Sequence, residues 1–279
     1  MFLNKGNPIN YSIEFYGGFA NNLQQIALAI MYSKKYKKNI FIQNHELVDE
    51  FKLINNNSFL KNISPLVKKR FFYFGSKLSN NFLVDPPIEF NDFDFYHENF
   101  HKTLKNIIKP KINFLRTISI SPKDLVIHIR KMEGHPDYVQ NPINYYKKLF
   151  EIYENIILVT DAPDSVLVKK LSKLKKLEIQ SSTLENDFNT LFSAYNLATS
   201  GVGTFAIAAA MLSDKLTNIF YSNFYLDRHL NPSMLTENIN KQEYEIKNYL
   251  GYGNWNKSSD ILNETLLSTY SIKSKNSYL

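Results

Sequence analysis

The chain has 279 residues, of which 44% are hydrophobic and 21% charged, and it contains no cysteine, so we expect a globular protein without disulfide bridges or thiolate metal sites. Neither a secretory signal pattern nor an apolar run of about 18 residues is visible, which leads us to expect a cytoplasmic protein. The formal net charge is +7, which leaves nucleic acid, an anionic membrane surface and an anionic substrate as partners to be weighed.

The first part of the chain predicts a small α/β unit, because apolar residues at three- to four-residue spacing lie between two short apolar runs. The predicted elements are a strand at 12–16, a turn at Gly17 and Gly18, a helix over 21–36 and a strand at 39–43. Residues 44–115 are aromatic, rich in asparagine and interrupted by prolines, which favours short helices and loops. We expect a boundary in the polar stretch 110–122, and hence a first domain over 1–118.

The second part has a regular pattern. Strands are predicted at 125–130, 156–160, 177–180, 197–199 and 218–221, with helices between them over 143–153, 162–174, 186–195 and 204–212. Strands that alternate with helices indicate βαβ units and a parallel sheet. A further amphipathic helix is expected over 237–249, which ends a second domain at 119–250. Residues 251–279, rich in Ser, Asn and Lys, are expected to form a frayed polar tail.

The strand at 125–130 ends in a permanently charged residue, Arg130. A guanidinium offers a fork of donors that suits phosphate oxygens. His128 shares its face of the strand, because alternate residues point to the same side. Glu133, shortly after Arg130, and Asp161, after the next strand, are candidates for the base that deprotonates an acceptor hydroxyl. Each of these groups has a purely structural alternative: a salt bridge or cap for the charged residues, a satisfied core position for His128.

A second strand end supplies small residues in the run Ser200-Gly201-Val202-Gly203-Thr204. Ligands of open α/β sheets bind at the carboxyl ends of strands. Glycine lets backbone N–H groups approach a phosphate, and a helix N-terminus adds partial positive charge. Together with Arg130, this turn predicts a pocket for a diphosphate and hence for a nucleotide-linked substrate. The alternative is an ordinary turn with Thr204 as the N-cap. The glycine turn near residue 17 has the same two interpretations, with Asn21 as the cap.

Three segments resemble the α-1,2-fucosyltransferases, whose superfamily includes the protein O-fucosyltransferases. Residues 16–25 are similar to their Gly-Gly-Leu-Gly-Asn-Gln stretch, and residues 128–133 to their His-x-Arg-Arg-x-Asp motif, with Lys131 and Glu133 in place of the second Arg and the Asp. Residues 188–212, with the run 199–205 within them, occupy the place of their Asn-Ser-Ser-Phe-Ser-Trp-Trp segment.

The resemblance implies a GT-B-like α/β fold, in which two Rossmann-type domains with parallel sheets face a central cleft. The N-terminal domain would bind the acceptor and the C-terminal domain the nucleotide sugar. It also implies inverting transfer from GDP-fucose without a metal or other cofactor. The expected catalytic residues are Arg130, Glu133 and Asp161. The expected donor-binding residues are Gly17, Gly18, Asn22, His128, Arg130, Lys131, Ser200, Gly203, Thr204 and Phe205.

We therefore expect a glycosyltransferase that moves fucose from GDP-fucose to a hydroxyl of a glycan or lipid-linked glycan, in the assembly of a cell-surface polysaccharide or lipopolysaccharide. The basic surface leads us to expect weak contact with the anionic inner face of the membrane and no nucleic-acid partner. One alternative is an enzyme of the same fold that uses another nucleotide sugar. A second is a methyltransferase or dehydrogenase, which would carry a glycine fingerprint where this chain has Arg130. A third is a basic nucleic-acid-binding protein, which would interleave basic and aromatic residues on one face.

Overall fold

The computed structural model describes residues 10–13, 15, 17–36, 39–42, 45–49, 67–69, 93–131, 135–226 and 229–275. The chain divides into two compact units, residues 1–114 and 115–279, so the boundary lies within the polar stretch 110–122, just before the 118/119 division expected from the sequence. Each unit has its own sheet. Within the described residues, no helix has the length and apolar character needed to cross a membrane.

The first unit contains a three-stranded parallel sheet in the order β2-β1-β3. Its elements are β1 (Asn10–Ile13), α1 (Phe19–Tyr36), β2 (Asn39–Phe41), β3 (Val67–Lys69) and α2 (Phe93–Thr103), followed by a π-helical turn (Leu104–Ile108) and a 3-10 turn (Lys109–Lys111). Leu23, Ile26 and Ile30 of α1 are fully buried, as their spacing predicts. β3 was not predicted, since its three residues carry no strand pattern.

The second unit contains a seven-stranded sheet in the order β10-β9-β8-β7-β4-β5-β6, in which all neighbours are parallel except β9 and β10. Its elements are β4 (Leu125–Ile129), α3 (Ile143–Ile152), β5 (Ile156–Thr160), α4 (Val166–Leu174), β6 (Glu178–Gln180), α5 (Leu184–Phe192), β7 (Asn196–Ala198), α6 (Phe205–Leu212), β8 (Asn218–Ser222), a 3-10 turn (Pro232–Met234), β9 (Asn240–Lys247), α7 (Ser259–Leu267) and β10 (Ser271–Ser274). β5 and β6 follow β4 toward one edge of the sheet. β7 then pairs with the other side of β4, and β8, β9 and β10 follow toward the opposite edge. The order reverses between β4 and β7, and such a switch point opens the crevice where α/β sheets bind ligands.

The central strands form for the reason that the sequence suggests. All five residues of β4 are buried, because helices cover both faces of a parallel sheet and the strand needs no polar side. Helix starts are set by caps: the hydroxyl of Ser165 accepts the N–H of Val168, and that of Thr183 accepts the N–H of Asn186. α4 therefore begins later, and α5 earlier, than their apolar spacing alone predicts.

The prediction of a helix over 237–249 is wrong, because this segment forms strand β9. Tyr244 and Ile246 are buried at alternate positions, which is the period of a strand, and β9 pairs with β8 on one side and β10 on the other.

The prediction of a frayed polar tail over 251–279 is also wrong, because this segment forms α7 and β10 and packs onto the second unit. Trp255, Leu262, Leu266 and Ile272 are buried in the same core as the central strands. These few apolar side chains are enough to anchor a segment whose remaining residues are polar.

Two neighbouring residues of α7 test this packing. Leu262 is 1% exposed and Ile261 is 50% exposed. We expect Leu262→Ala to lower the free energy of unfolding by about 2–5 kcal/mol, because it leaves a cavity in the core, and Ile261→Ala to change it by less than about 1 kcal/mol. Urea unfolding followed by the fluorescence of Trp255, the only tryptophan of the chain, gives both values. Equal effects of the two variants would show that α7 does not pack as described.

Candidate functional site

The structure brings together the charged residue and the glycine turn that the sequence singles out. β4 pairs in parallel with β7, so their carboxyl ends lie side by side at one edge of the sheet. Arg130 directly follows β4, and a Cβ built on Gly203 would lie 3.8 Å from Cδ of Arg130. The arginine side chain and the glycine turn therefore border the same space at the switch point.

A short segment, residues 138–141, ties these strand ends together, and we call it the strap. Its backbone runs antiparallel to the turn after β7: Val202 N–H donates to the carbonyl of Val139 at 2.9 Å, and Asn141 N–H donates to the carbonyl of Ser200 at 2.9 Å. The side-chain amide of Gln140 also donates to the carbonyl of Arg130 at 3.1 Å. The strap thus fixes the exits of β4 and β7 relative to each other.

The side chain of Asn141 connects the strap to a third strand, β8. Its amide nitrogen donates to the carbonyl of Thr199 at 2.9 Å, and its amide oxygen accepts the hydroxyl of Ser222, the last residue of β8, at 2.5 Å. Asn141 is fully buried, so these bonds replace contacts that water would otherwise make. Loss of the amide would leave buried groups unpaired, at a cost of about 1–3 kcal/mol each.

The segment after β9 stabilises the strap and the loop before it through hydrogen bonds. The hydroxyl of Tyr249 donates to the carbonyl of Gln140 at 2.7 Å. Gly253 N–H and Trp255 N–H both donate to the carbonyl of Pro136, at 3.0 and 3.3 Å. The region that was expected to fray therefore holds the loop that leads into the strap.

The two glycines of the turn have different roles. Gly201 has a φ of +105°, and a Cβ there would lie 2.4 Å from the carbonyl oxygen of Val139, so the strap itself requires glycine at this position. Gly203 has only the Arg130 side chain within 4 Å of a Cβ, so nothing in the described fold demands a glycine. Thr204 occupies the residue before α6, but its backbone is helical and its side chain makes no capping hydrogen bond. Thr204 is thus the N-cap residue of α6 by position, as the alternative predicts, but its side chain does not cap the helix.

His128 lies behind Arg130 as a buried, neutral group. Burial lowers its pKa to about 3, and the positive charge of Arg130 acts in the same direction. Its ring packs against Phe205 at the start of α6, with ring centres 5.5 Å apart, and Phe205 in turn packs against Phe188 at 5.2 Å. His128 and Phe205 thus join β4 to α6, and at neutral pH His128 adds no charge to the site.

The segment that follows Arg130 is held by a carboxylate. Lys131 is exposed, and its backbone N–H donates to the side chain of Asp161, the first residue after β5. Asp161 therefore positions the chain just beyond β4, in addition to the catalytic role predicted for it. Glu133 lies outside the described residues, so its predicted role stays a prediction. The described residues contain no group of three or more His, Cys, Asp or Glu side chains placed to hold a metal ion.

A small pocket, with a cavity volume of about 10 Å³, adjoins the glycine turn on the side of β8. Thr199, Gly201 and Gly203 line one part of it, and the aromatic residues Tyr221, Phe224 and Tyr225 line another. Burial raises the pKa of Tyr221 to about 12, with the charge of Glu243 acting in the same direction, so its hydroxyl stays protonated. The sequence analysis missed this pocket, although the aromatic residues that end β8 were a signal for it.

The remaining predicted residues, Gly17, Gly18 and Asn22, lie in the first unit. Gly17 has a φ of +77°, and a Cβ there would lie 2.5 Å from the side chain of Asn21, so the tight turn requires glycine. The side chain of Asn22 lies 3.1 Å from Nε2 of His45, whose Nδ1 accepts the N–H of Leu47. These contacts describe a turn with local partners, and donor binding by the three residues stays a prediction.

Comparison with known proteins finds no matching family model and no matching curated protein. Among solved structures, the chain is similar to the dodecameric iron-containing heptosyltransferase TibC in complex with ADP-D-β-D-heptose, with a TM-score of 0.46, 13% identity, and 90% of this chain and 66% of that chain covered. It is also similar to the dodecameric iron-containing glycosyltransferase TibC from enterotoxigenic E. coli H10407, with a TM-score of 0.44, 14% identity, and 90% and 65% covered. The chain thus spans slightly under two thirds of the length of these chains.

Alanine at each of the two glycines separates their roles. We expect Gly201→Ala to lower the free energy of unfolding by about 2 kcal/mol or more, because it adds backbone strain and a clash with the strap. Gly203→Ala should leave stability within about 0.5 kcal/mol of the parent, because its methyl group meets only Arg130, at an ordinary contact distance. Urea unfolding of both variants measures the difference. A Gly201→Ala protein as stable as the parent would contradict the geometry of the strap.

The buried imidazole makes stability depend on pH. The pKa of His128 is about 3 in the folded protein against an ordinary value of 6.5, so between these values the unfolded chain binds a proton that the folded chain does not. The free energy of unfolding should therefore fall as pH falls from 6.5 toward 3, by up to about 1.4 kcal/mol per pH unit. Urea unfolding across this range should show a shallower decline for His128→Gln than for the parent. An unchanged slope in His128→Gln would contradict a neutral buried ring.

Proposed function

We propose that the protein is a glycosyltransferase that uses a nucleoside-diphosphate sugar, and that the crevice between the exits of β4 and β7 holds the diphosphate. The observation that carries this proposal is the placement of Arg130 beside the turn at Gly203. A permanent cation and the N-terminus of α6 border one space there, and both favour bound phosphate.

The proposed chemistry is the departure of a nucleoside diphosphate as an acceptor hydroxyl attacks the sugar. Negative charge grows on the diphosphate as the glycosidic bond breaks, so donors that are already in place lower the barrier. In this proposal Arg130 and the backbone N–H groups near Gly203 and Thr204 supply those donors. The hydroxyl of the acceptor loses its proton to a carboxylate, for which Glu133 and Asp161 are the candidates.

The pocket beside the turn is the proposed place of the nucleoside. It adjoins the glycine turn directly, and its cavity volume of about 10 Å³ means that a nucleoside enters only as the lining side chains move apart. Tyr221, Phe224 and Tyr225 offer aromatic faces suited to a base and ribose. A nucleoside there and a diphosphate beside Arg130 form one continuous ligand along the edge of the sheet.

The donor is proposed from the motif resemblance. The run His128–Glu133 is similar to the motif of the α-1,2-fucosyltransferases, which supports a GDP-sugar and fucose as the transferred group. The proposal includes the GT-B-like organisation, inversion at the sugar carbon, no metal and an acceptor-binding role for the first unit. It also includes donor binding by Gly17, Gly18 and Asn22. A glycan or lipid-linked glycan of the cell surface is the proposed acceptor, with the protein acting in the cytoplasm at the inner face of the membrane.

Thermal-shift and calorimetric measurements with GDP, UDP, ADP, CMP and their sugars test the proposal, because a ligand that binds only the folded protein raises its melting temperature. We expect GDP and GDP-fucose to give the largest shifts. Arg130→Ala should weaken their binding by about ten- to a hundredfold, because it removes a charged hydrogen-bonding partner, while the melting temperature without ligand stays near that of the parent. Arg130→Lys should give an intermediate loss, since it keeps the charge without the fork.

The matched control is Lys169→Ala, which removes a positive charge from an exposed ion pair on α4 of the same unit. It should bind nucleotides as the parent does. A response to UDP alone would overturn the GDP assignment and leave the reaction class. Binding of no nucleotide in the panel, or equal losses in Arg130→Ala and Lys169→Ala, would overturn the proposed function.

A further inference from the structure

Tyr138, the first residue of the strap, packs against the guanidinium of Arg130. Cζ of Arg130 lies 4.6 Å from the centre of the Tyr138 ring, within the range of about 6 Å in which an aromatic face attracts a cation. The ring is half-buried and is itself stacked against His135, with ring centres 4.4 Å apart. The ring of Tyr138 is therefore a fixed surface rather than a freely rotating side chain.

The arginine is also bounded on its aliphatic part. Cδ of Arg130 lies 3.8 Å from the position that a Cβ of Gly203 would take. The N–H bonds of a guanidinium lie in its plane, so contact of its face with an aromatic ring leaves the edge able to donate hydrogen bonds. Tyr138 and Gly203 thus border the arginine side chain at its guanidinium and at its aliphatic part.

The same short segment holds all three parts of this arrangement. Tyr138 precedes Val139, which is hydrogen-bonded to the turn after β7, and Gln140 is hydrogen-bonded to the backbone of Arg130 itself. The ring, the arginine backbone and the glycine turn therefore keep their relative positions before any ligand arrives. An arginine side chain that is ordered in advance loses less rotamer freedom on binding.

We propose that Tyr138 is a positioning residue, whose ring sets the plane of the Arg130 guanidinium so that its edge meets the diphosphate of the nucleotide sugar. The inference rests on the proposed function, because it assigns a role within the same binding site. Tyr138 itself need not touch the ligand: its effect passes through Arg130. The hydroxyl of Tyr138 has no part in the proposal, since the ring face makes the contact.

Isothermal titration of four proteins tests the proposal: the parent, Tyr138→Phe, Tyr138→Leu and Arg130→Ala. The probes are GDP, UDP, ADP and CDP, and then guanosine, uridine, adenosine or cytidine to match the diphosphate that binds most tightly. We expect Tyr138→Leu to weaken binding of that diphosphate by about three- to thirtyfold, and Tyr138→Phe to match the parent within about twofold. Binding of the nucleoside without phosphate should be unchanged in both, which a general loss of structure would not produce.

A double variant shows whether Tyr138 acts through the arginine. With Arg130 already replaced by alanine, the further change Tyr138→Leu should have no additional effect on diphosphate binding, because the interaction between the two residues is already lost. Effects that add, or a Tyr138→Leu protein that binds the diphosphate as the parent does, would overturn this inference while leaving the proposed function in place. An equal loss of nucleoside and diphosphate would also overturn it, by showing a structural role. If the parent binds none of the four diphosphates, both the inference and the proposed function fail.

Discussion

The backbone hydrogen bonds between the strap and the turn after β7 are the constraint on which the site depends. A parallel sheet brings the carboxyl ends of its strands to one edge, but it does not decide the path of the chain beyond them. The bonds from Val202 to Val139 and from Asn141 to Ser200 decide it here. They force a left-handed backbone at Gly201, and they place the rest of the turn beside Arg130. The fully buried Asn141 carries the same constraint to β8.

The electrostatics of the site follow from this arrangement and from burial. His128 shares the strand face of Arg130, yet burial keeps its ring neutral, so the arginine is the fixed charge at the end of β4. The carboxylate of Asp161 is turned toward the backbone N–H of Lys131. This hydrogen bond helps to fix the chain just beyond β4. The partly buried guanidinium of Arg130 at the same strand end is the group that would attract the diphosphate in the proposed function.

Much of the second unit could be predicted from the sequence, because strands of a parallel sheet covered on both faces are continuous apolar runs. β4 and β5 are the clearest cases. β9 was mistaken for a helix because its buried residues alternate among charged ones, and the segment after residue 250 was mistaken for a tail because its few apolar anchors are scattered among polar residues. Arg130 and Gly203 could be found because their chemistry is unusual at a strand end. The strap could not be found, since Tyr138–Asn141 forms no local pattern and its reason lies in partners some sixty residues away.

The contact between Trp255 and Pro136 has a consequence for how the protein is made. Ribosomes produce the chain from its amino end, so every strand that carries a residue of the crevice, from β4 to β8, leaves the ribosome before Trp255 does. The hydrogen bonds from Gly253 and Trp255 to Pro136, in the loop before the strap, form only when this later part of the chain has emerged and folded onto the sheet. A nascent chain therefore contains the strands from β4 to β8 before these hydrogen bonds can form.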